Sequence, residues 1–203
     1  MMWIDRGALV VNTYTHRSTN SMRHQTITTL CGLLITASLA HAATLEVDKQ
    51  RSRIQVNAKA TGHAFTGTLK DYKATVSGDE TALTPTGFDL SWDFTNLGTE
   101  DASRDAEMIK WLGGGTPKGS FKFTKSWTDK SGKDQGMGNL SIHGISKAIS
   151  FPYTVKKDGD WVTIDGKANM DYQNFSLPII RAMAVMTVEP QLEVTFHIVG
   201  KVK

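Results

Sequence analysis

The residue types that usually carry catalysis or bind metals are few and widely spaced in this 203-residue chain. Beyond residue 42 it contains three histidines, His63, His143 and His197, and no cysteine. Zinc sites use pairs of histidines or cysteines a few residues apart, and this part of the sequence has no such pair. Motifs for a serine nucleophile, a phosphate-binding loop or a zinc protease are also missing from it. The sequence therefore predicts a protein that is not an enzyme, with no catalytic residues, no metal site and no cofactor.

Carboxylates are crowded at one place in the sequence, where Asp101, Asp105 and Glu107 fall close together. They stand at the start of a predicted helix, where the helix dipole favours negative charge, and this explains them without acid–base chemistry. An enzyme with Asp105, Glu107 and His143 as its polar groups is one alternative. A turnover assay on those residues would test it.

The rest of the pattern predicts strands. Apolar residues alternate with polar ones in about eight short runs, and turn signals such as Asp-Gly-Asp at 158–160 separate them. The clearest run is Phe88, Leu90, Trp92 and Phe94. Because side chains alternate faces along a strand, each run places its apolar side chains on one side of a sheet. Strands that follow one another through short turns form an antiparallel meander.

One segment breaks this alternation. Residues 101–112 have helical spacing, with Met108 and Trp111 on the apolar face. Thr99 or Asp101 can cap the start of this helix, and three glycines at 113–115 end it. A helix at this place would cover one end of the sheet.

The strand count predicts the fold class. Closing a sheet removes its exposed edges, and an eight-stranded barrel encloses either packed side chains or one small ligand. We therefore predict an all-β fold, an eight-stranded antiparallel lipocalin-like barrel with one short capping helix near residues 101–112. A packed β-sandwich is the alternative.

The N-terminal part of the sequence is typical of export. Residues 22–42 combine a short basic start, an apolar core of 13 residues and the small-x-small sequence Ala40-His41-Ala42. This predicts a signal peptide that is cut after Ala42 and a periplasmic protein. The core is shorter than the about 20 residues that span a bilayer. We interpret residues 1–21 as an over-extended, unstructured start, which leaves residues 43–203 as one domain.

The charge of that domain is nearly balanced. Residues 43–203 contain 20 basic and 19 acidic residues. A balanced surface gives no electrostatic reason to bind nucleic acid. We therefore predict no nucleic-acid partner.

Several motifs in residues 43–203 resemble those of one known family. The most specific is Gly138-Asn-Leu-Ser-Ile-His-Gly144 followed by Lys147, and Arg104-Asp105 in the predicted helix is the next. Two weaker motifs are Gly62-His63-x-Phe65-x-Gly67 and Met170-Asp171-Tyr172-x-x-Phe175. Together they resemble the YceI family of periplasmic lipid- or polyisoprenoid-binding proteins. The resemblance implies a barrel around an elongated apolar tunnel that holds a long isoprenoid, a quinone-like molecule or another long-chain amphiphile.

The resemblance also makes the large apolar side chains of the strands and the cap candidates for the tunnel wall. Without it, a dry packed core is the favoured interpretation. The candidate tunnel residues are Phe65, Phe88, Leu90, Trp92, Phe94, Met108, Trp111, Phe121, Phe123, Phe151, Tyr153, Phe175, Met183 and Met186.

Two arginines, Arg104 and Arg181, are candidates for contact with a polar or phosphorylated head group, because a guanidinium binds phosphate through two hydrogen bonds. For Arg104, a contact that fixes the helix is the favoured alternative. The predicted partner is one long-chain lipid or isoprenoid, with transient contact to a membrane or a membrane protein. One alternative is a stress-linked interaction module with a packed barrel. The other is the enzyme, which the resemblance would make one that acts on a prenyl lipid.

Overall fold

The structure is a computed structural model that describes residues 42–79, 81–182 and 186–203. Residues 1–41, on which the predicted start and most of the predicted signal peptide fall, lie outside the described residues. Met183 also lies outside them.

The described part of the chain is built mainly of strands. These are β1 (Ala42–Val47), β2 (Arg53–Ala60), β3 (His63–Leu69), β4 (Lys73–Asp79), β5 (Thr84–Asp93), β6 (Leu97–Gly98), β7 (Lys118–Thr128), β8 (Asp134–Ile142), β9 (Ile145–Asp158), β10 (Trp161–Asp171), β11 (Arg181–Ala182), β12 (Met186–Thr187) and β13 (Gln191–Val202). One α-helix, α1, covers Ala102–Trp111. Two 3₁₀ turns cover Phe94–Asn96 and Tyr172–Phe175.

Eight of the described strands form a closed antiparallel ring. Its order is β1-β4-β5-β7-β8-β9-β10-β13, and β13 pairs back with β1 through Leu45↔Val202 and Val47↔Gly200. Closure leaves no open edge in this ring, which is how a sheet with one apolar face avoids unpaired backbone groups. The predicted eight-stranded barrel is confirmed, and the alternative of a β-sandwich is wrong.

At the other end of the barrel, three further strands continue the sheet. There the edge of β13 that β1 leaves free pairs with β2, β2 pairs with β3, and β3 pairs with β6. β1 and β2 therefore share one edge of β13, with a short turn between them. The hairpin β2–β3 extends the barrel wall beyond the ring closed by β1 and β4.

The predicted helix is present and has the predicted cap. Asp101 accepts a hydrogen bond from the backbone N–H of Arg104 at 3.0 Å, which satisfies one of the free donors of the first turn. Gly113, Gly114 and Gly115 all have positive φ, a conformation that ends a helix and that glycine adopts without strain. Within the described ranges, no helix is both long and apolar enough to cross a bilayer.

A second, smaller cap follows β10. β11 and β12 pair as a two-stranded hairpin, and the chain after it runs along the end of β2, with a bridge between Ala60 and Val188. The backbone N–H of Glu189 donates to the carbonyl of Lys59 at 2.8 Å. These bonds fasten the segment after the hairpin to the same end of the barrel that β2 and β3 form.

Candidate functional site

A cavity of about 960 Å³ occupies the end of the barrel that α1 and the β11–β12 hairpin cover. Pockets that bind small molecules are typically about 300–1,000 Å³ and mostly apolar. The strand residues that line it share inward-facing apolar side chains. They are Ile54, Val56, Ala58, Ala60, Phe65, Leu69, Phe88, Leu90, Trp92, Leu97, Phe121, Leu140, Ile142, Ile149, Phe151, Ala168, Met170, Leu192, Val194 and Phe196.

The structure brings most of the sequence-predicted tunnel residues to this cavity. Nine of the described candidates line it: Phe65, Phe88, Leu90, Trp92, Phe94, Met108, Trp111, Phe121 and Phe151. Met186 falls in β12, whose hairpin covers the same end of the barrel. Contact of these residues with a ligand stays a prediction.

Three candidates lie away from the cavity wall. Phe123 and Tyr153 are on inward-facing positions of β7 and β9 but stand further down the barrel, where Tyr153 is 7% exposed and packed in the core. Burial raises the pKa of the Tyr153 hydroxyl. Phe175 is in the 3₁₀ turn after β10 and is only 1% exposed. Alternation of residues predicts the face of a strand but not the height of a side chain along the barrel axis, so it does not separate Phe123 and Tyr153 from the residues of the cavity wall.

Sequence reasoning missed most of the aliphatic wall. Ile54, Val56 and Ala58 on β2 and Leu192 and Val194 on β13 line the cavity, although Leu90 is the only aliphatic strand residue among the sequence-predicted candidates apart from the methionines. The same period-two pattern that predicted these strands would have identified them.

Glycines on neighbouring strands make room for the large rings. Trp92 pairs with Gly119 across β5 and β7, and a Cβ built on Gly119 would overlap the indole ring. Phe196 of β13 likewise pairs with Gly166 of β10, and a Cβ built on Gly166 would overlap the Phe196 ring. A ring that lies flat over a glycine leaves the middle of the barrel open, and the cavity therefore depends on small residues as well as on large ones.

The mouth of the cavity is polar and is organised around Thr99. The Arg104 guanidinium donates to Thr99 Oγ1 through Nε at 2.8 Å and to the Thr99 carbonyl through Nη2 at 2.9 Å. Asp105 Oδ1 accepts from the Thr99 hydroxyl at 2.6 Å and from its backbone N–H at 3.0 Å. The Arg104 guanidinium also lies over the ring of Phe65, 4.4 Å from its centroid. These contacts fix α1 to β3, the role favoured for Arg104 from the sequence.

Other charges at the mouth come from the two caps. Arg181 and Lys110 line the cavity together with Glu107, and Lys110 and Glu107 are 3.8 Å apart on an exposed face of α1. The pKa of Asp101 is held below its usual value, mainly by the hydrogen bond from the Arg104 backbone N–H. Both positive and negative groups therefore lie at an otherwise apolar opening.

Trp111 and Tyr172 connect the caps. The Trp111 indole N–H donates to the carbonyl of Pro178 at 2.9 Å, and its ring meets Tyr172 edge-on with centroids 5.2 Å apart. The Tyr172 hydroxyl donates to the carbonyl of Val188 at 2.8 Å and accepts from the N–H of Ile180 at 3.3 Å. Burial raises the pKa of Tyr172. The helix, the segment before β11 and the segment after β12 are thus joined by two aromatic side chains.

The residues weighed for catalysis do not form an evident site. Asp105 accepts two hydrogen bonds from Thr99, and Glu107 is exposed beside Lys110. His143 stands in the turn between β8 and β9 near Gly113, beyond the other end of α1. Among the residues that the structure describes, no three His, Cys, Asp or Glu side chains come together as a metal site would require.

Comparison with solved structures finds the same architecture in two other proteins. BcnA of Burkholderia cenocepacia superposes with a TM-score of 0.65 at 18% identity, over 77% of this chain and 100% of that one. A Campylobacter jejuni YceI protein superposes with a TM-score of 0.53 at 20% identity, over 68% of this chain and 84% of that one. At these identities the likeness shows a shared fold.

The family assignment comes from the sequence. No curated protein matches the chain in a direct sequence search. The family model of the YceI-like domain matches residues 45–200, which is the whole barrel except for the ends of its first and last strands. The chain therefore belongs to the YceI-like domain family.

Proposed function

We propose that this protein binds one long-chain apolar or amphiphilic lipid in the barrel cavity, and that it carries, stores or sequesters that lipid without changing it chemically. The observation that supports the proposal is an apolar cavity of about 960 Å³. Its mouth is polar, and hydrogen bonds join the segments that cover it. A barrel packed to native density would have no such space. The alternative of an interaction module with a solid barrel does not explain the cavity.

The energetics of the cavity suit a chain-like ligand. Transfer of each methylene from water to an apolar wall contributes about 0.8 kcal/mol, and ordering the flexible chain offsets part of it. Among the described residues that line the cavity, the charged side chains are all at the mouth, where Arg104, Lys110 and Arg181 lie with Asp101 and Glu107. An isoprenoid, a quinone-like molecule or a fatty amphiphile would place its chain in the barrel and its polar end among these groups.

Export is part of the proposal. The sequence of residues 22–42 supports a cleaved signal peptide and a periplasmic location. The mass of the protein recovered from the periplasmic fraction tests this, since cleavage after Ala42 leaves Ala43 as the first residue. Recovery of the unprocessed chain from the cytosol would contradict it.

The binding proposal is tested by native mass spectrometry of gently purified protein, followed by identification of lipids in its organic extract. We expect one adduct per chain. Trp92→Asp places a carboxylate in the cavity wall and should remove the adduct, because a buried unpaired charge is strongly unfavourable. Trp127→Asp is the matched control, since Trp127 is 38% exposed and does not line the cavity.

A bare mass that takes up no added isoprenoid, fatty alcohol or fatty amide would overturn the proposal. Retention of the adduct by Trp92→Asp would place the ligand elsewhere. If the protein turns over a bound prenyl phosphate, and if Asp105→Ala or His143→Ala abolishes this turnover, the alternative of an enzyme acting on a prenyl lipid is supported instead.

A further inference from the structure

Four phenylalanine rings contact one another in series along the barrel wall at the inner end of the cavity. They are Phe88 on β5, Phe121 on β7, Phe151 on β9 and Phe196 on β13. The centroids of neighbouring rings are 5.9, 5.8 and 5.4 Å apart, distances at which aromatic rings are in contact. We call this set the phenylalanine floor.

Glycines leave room for three of these rings, those of Phe121, Phe151 and Phe196. β8 and β10, the strands between those that carry Phe121, Phe151 and Phe196, have glycine opposite these rings. A Cβ on Gly138 would overlap Phe121, and a Cβ on Gly166 would overlap Phe196. A Cβ on Gly136 would lie 2.8 Å from Phe151 Cε2. The rings can therefore extend from one strand across the next and contact one another along the inner wall.

The barrel is filled below the phenylalanine floor. Tyr153, Val76 and Ile198 are 7%, 2% and 1% exposed and belong to the core, and none of them lines the large cavity. Further down, beside Leu45 and Val155, a separate space of only about 40 Å³ remains. The large cavity thus ends at the rings.

We infer that the phenylalanine floor limits the length of the apolar chain that this protein accepts, an inference that rests on the proposed lipid-binding function. A chain that enters from the mouth gains affinity with each methylene until its end meets the rings. Further methylenes must fold back or stay in water and add little. Phe151 and Phe196, whose rings meet edge-on, determine the position of this limit.

The test uses purified, delipidated protein and straight-chain primary alcohols of increasing length, measured by displacement of the apolar dye N-phenyl-1-naphthylamine. For the unchanged protein we expect affinity to rise about fourfold per added methylene and then to level off at a break point. In Phe196→Leu, and in Phe151→Leu as a second variant, the break point should move to longer chains by about two carbons or more, because a ring fills the depth of several methylenes.

Gly166→Ala shifts the same ring in the other direction. Its methyl group displaces Phe196 from the strand and towards the cavity, so the break point should move to shorter chains. Phe94→Leu is the matched control, because Phe94 lines the cavity outside the floor. It should change affinity for all chains while the break point stays where it is. Thermal unfolding of each variant shows that it folds.

The outcomes separate the two proposals. If no alcohol of any length displaces the dye, the lipid-binding function fails. If the alcohols bind but affinity shows no break, or if both leucine variants keep the unchanged break point, binding stands and the floor does not limit chain length.

Discussion

Thr99 is a nearly buried polar residue at the mouth of the cavity, with 7% of its surface exposed. Its hydroxyl donates to Asp105 and accepts from Arg104, and its backbone groups bond the same two side chains. One small residue thereby joins the short strand β6 to the first turn of α1. The guanidinium that it orients then lies over Phe65, so the orientation of the helix relative to β3 depends on this hydroxyl.

Replacing Thr99 by valine keeps the shape of the side chain and removes the hydroxyl. The Arg104 Nε–H then has no acceptor, and the Asp105 carboxylate loses one of its donors, both at a half-buried place. We therefore expect the free energy of unfolding to fall by about 1–3 kcal/mol. Urea denaturation followed by tryptophan fluorescence measures this change. Thr86→Val, at an exposed position of β5, should change the stability little, and an equal loss in both variants would contradict the role of the network.

At the scale of elements, the two caps act together because Trp111 of α1 is bonded to the chain just before β11. The helix has no buried residue of its own, so contacts at its ends and on its inner face hold it on the barrel. A ligand that enters or leaves through this mouth must part these contacts. Separation of the caps is therefore expected to control the rate of ligand exchange.

Trp111→Phe keeps an aromatic ring against Tyr172 and removes the hydrogen bond to Pro178. A net loss of about 0.5–1.5 kcal/mol corresponds to ligand release that is about 2- to 12-fold faster. Stopped-flow release of a bound fluorescent lipid measures this rate. Trp127→Phe, on the outer part of β7, is the control and should release the lipid at the unchanged rate.

Much of the element level was predictable from the sequence. Alternation predicted the strands, helical spacing with Asp101 and the glycines at 113–115 predicted α1, and both are confirmed. The axial positions of Phe123 and Tyr153 were not predictable, because they depend on strand register. β7 also shifts register between Phe123 and Lys125, which alternation does not reveal.

The depth of the cavity was not predictable for a related reason. It depends on which glycine of one strand faces which ring of the next, as Gly166 faces Phe196. Both residues were visible in the sequence, but their pairing is a long-range relation between strands. The motifs that resemble the YceI family led to the prediction of an apolar tunnel. The structure shows where the cavity ends.

At the scale of the whole molecule, several surface carboxylates tie strands and turns together and predict how stability depends on pH. The pKa of Asp129 is lowered to about 2, chiefly by a hydrogen bond from the Ser131 hydroxyl in the β7–β8 turn. The pKa of Glu193 is lowered mainly by its bond to Lys167, and that of Asp71 mainly by its bond to Lys49. A carboxyl whose pKa is lowered by folding stabilises the folded state above its unfolded pKa and loses this contribution as the pH falls.

Stability should therefore be steady from neutral pH to about 5 and then fall between about pH 4 and pH 2. Thermal unfolding midpoints across this range measure it. Asp129→Asn should flatten the low-pH end of the profile, since the amide cannot titrate. A profile that Asp129→Asn leaves unchanged would show that this turn does not contribute to acid unfolding.

The cavity makes a second prediction for the whole molecule, because a ligand that binds only the folded barrel stabilises it. At a free ligand concentration about 100 times the Kd, the stabilisation is about 2.7 kcal/mol, which for a barrel of this size raises the Tm by about 5–10 °C. Organic extraction should lower the Tm by a similar amount, and returning the extract should restore it. Trp92→Asp should have the same Tm before and after extraction, because its cavity holds a charge in place of an apolar wall. A Tm in the unchanged protein that does not respond to extraction would mean that the purified barrel carried no bound lipid, and a response in both proteins would place the stabilising lipid outside the cavity.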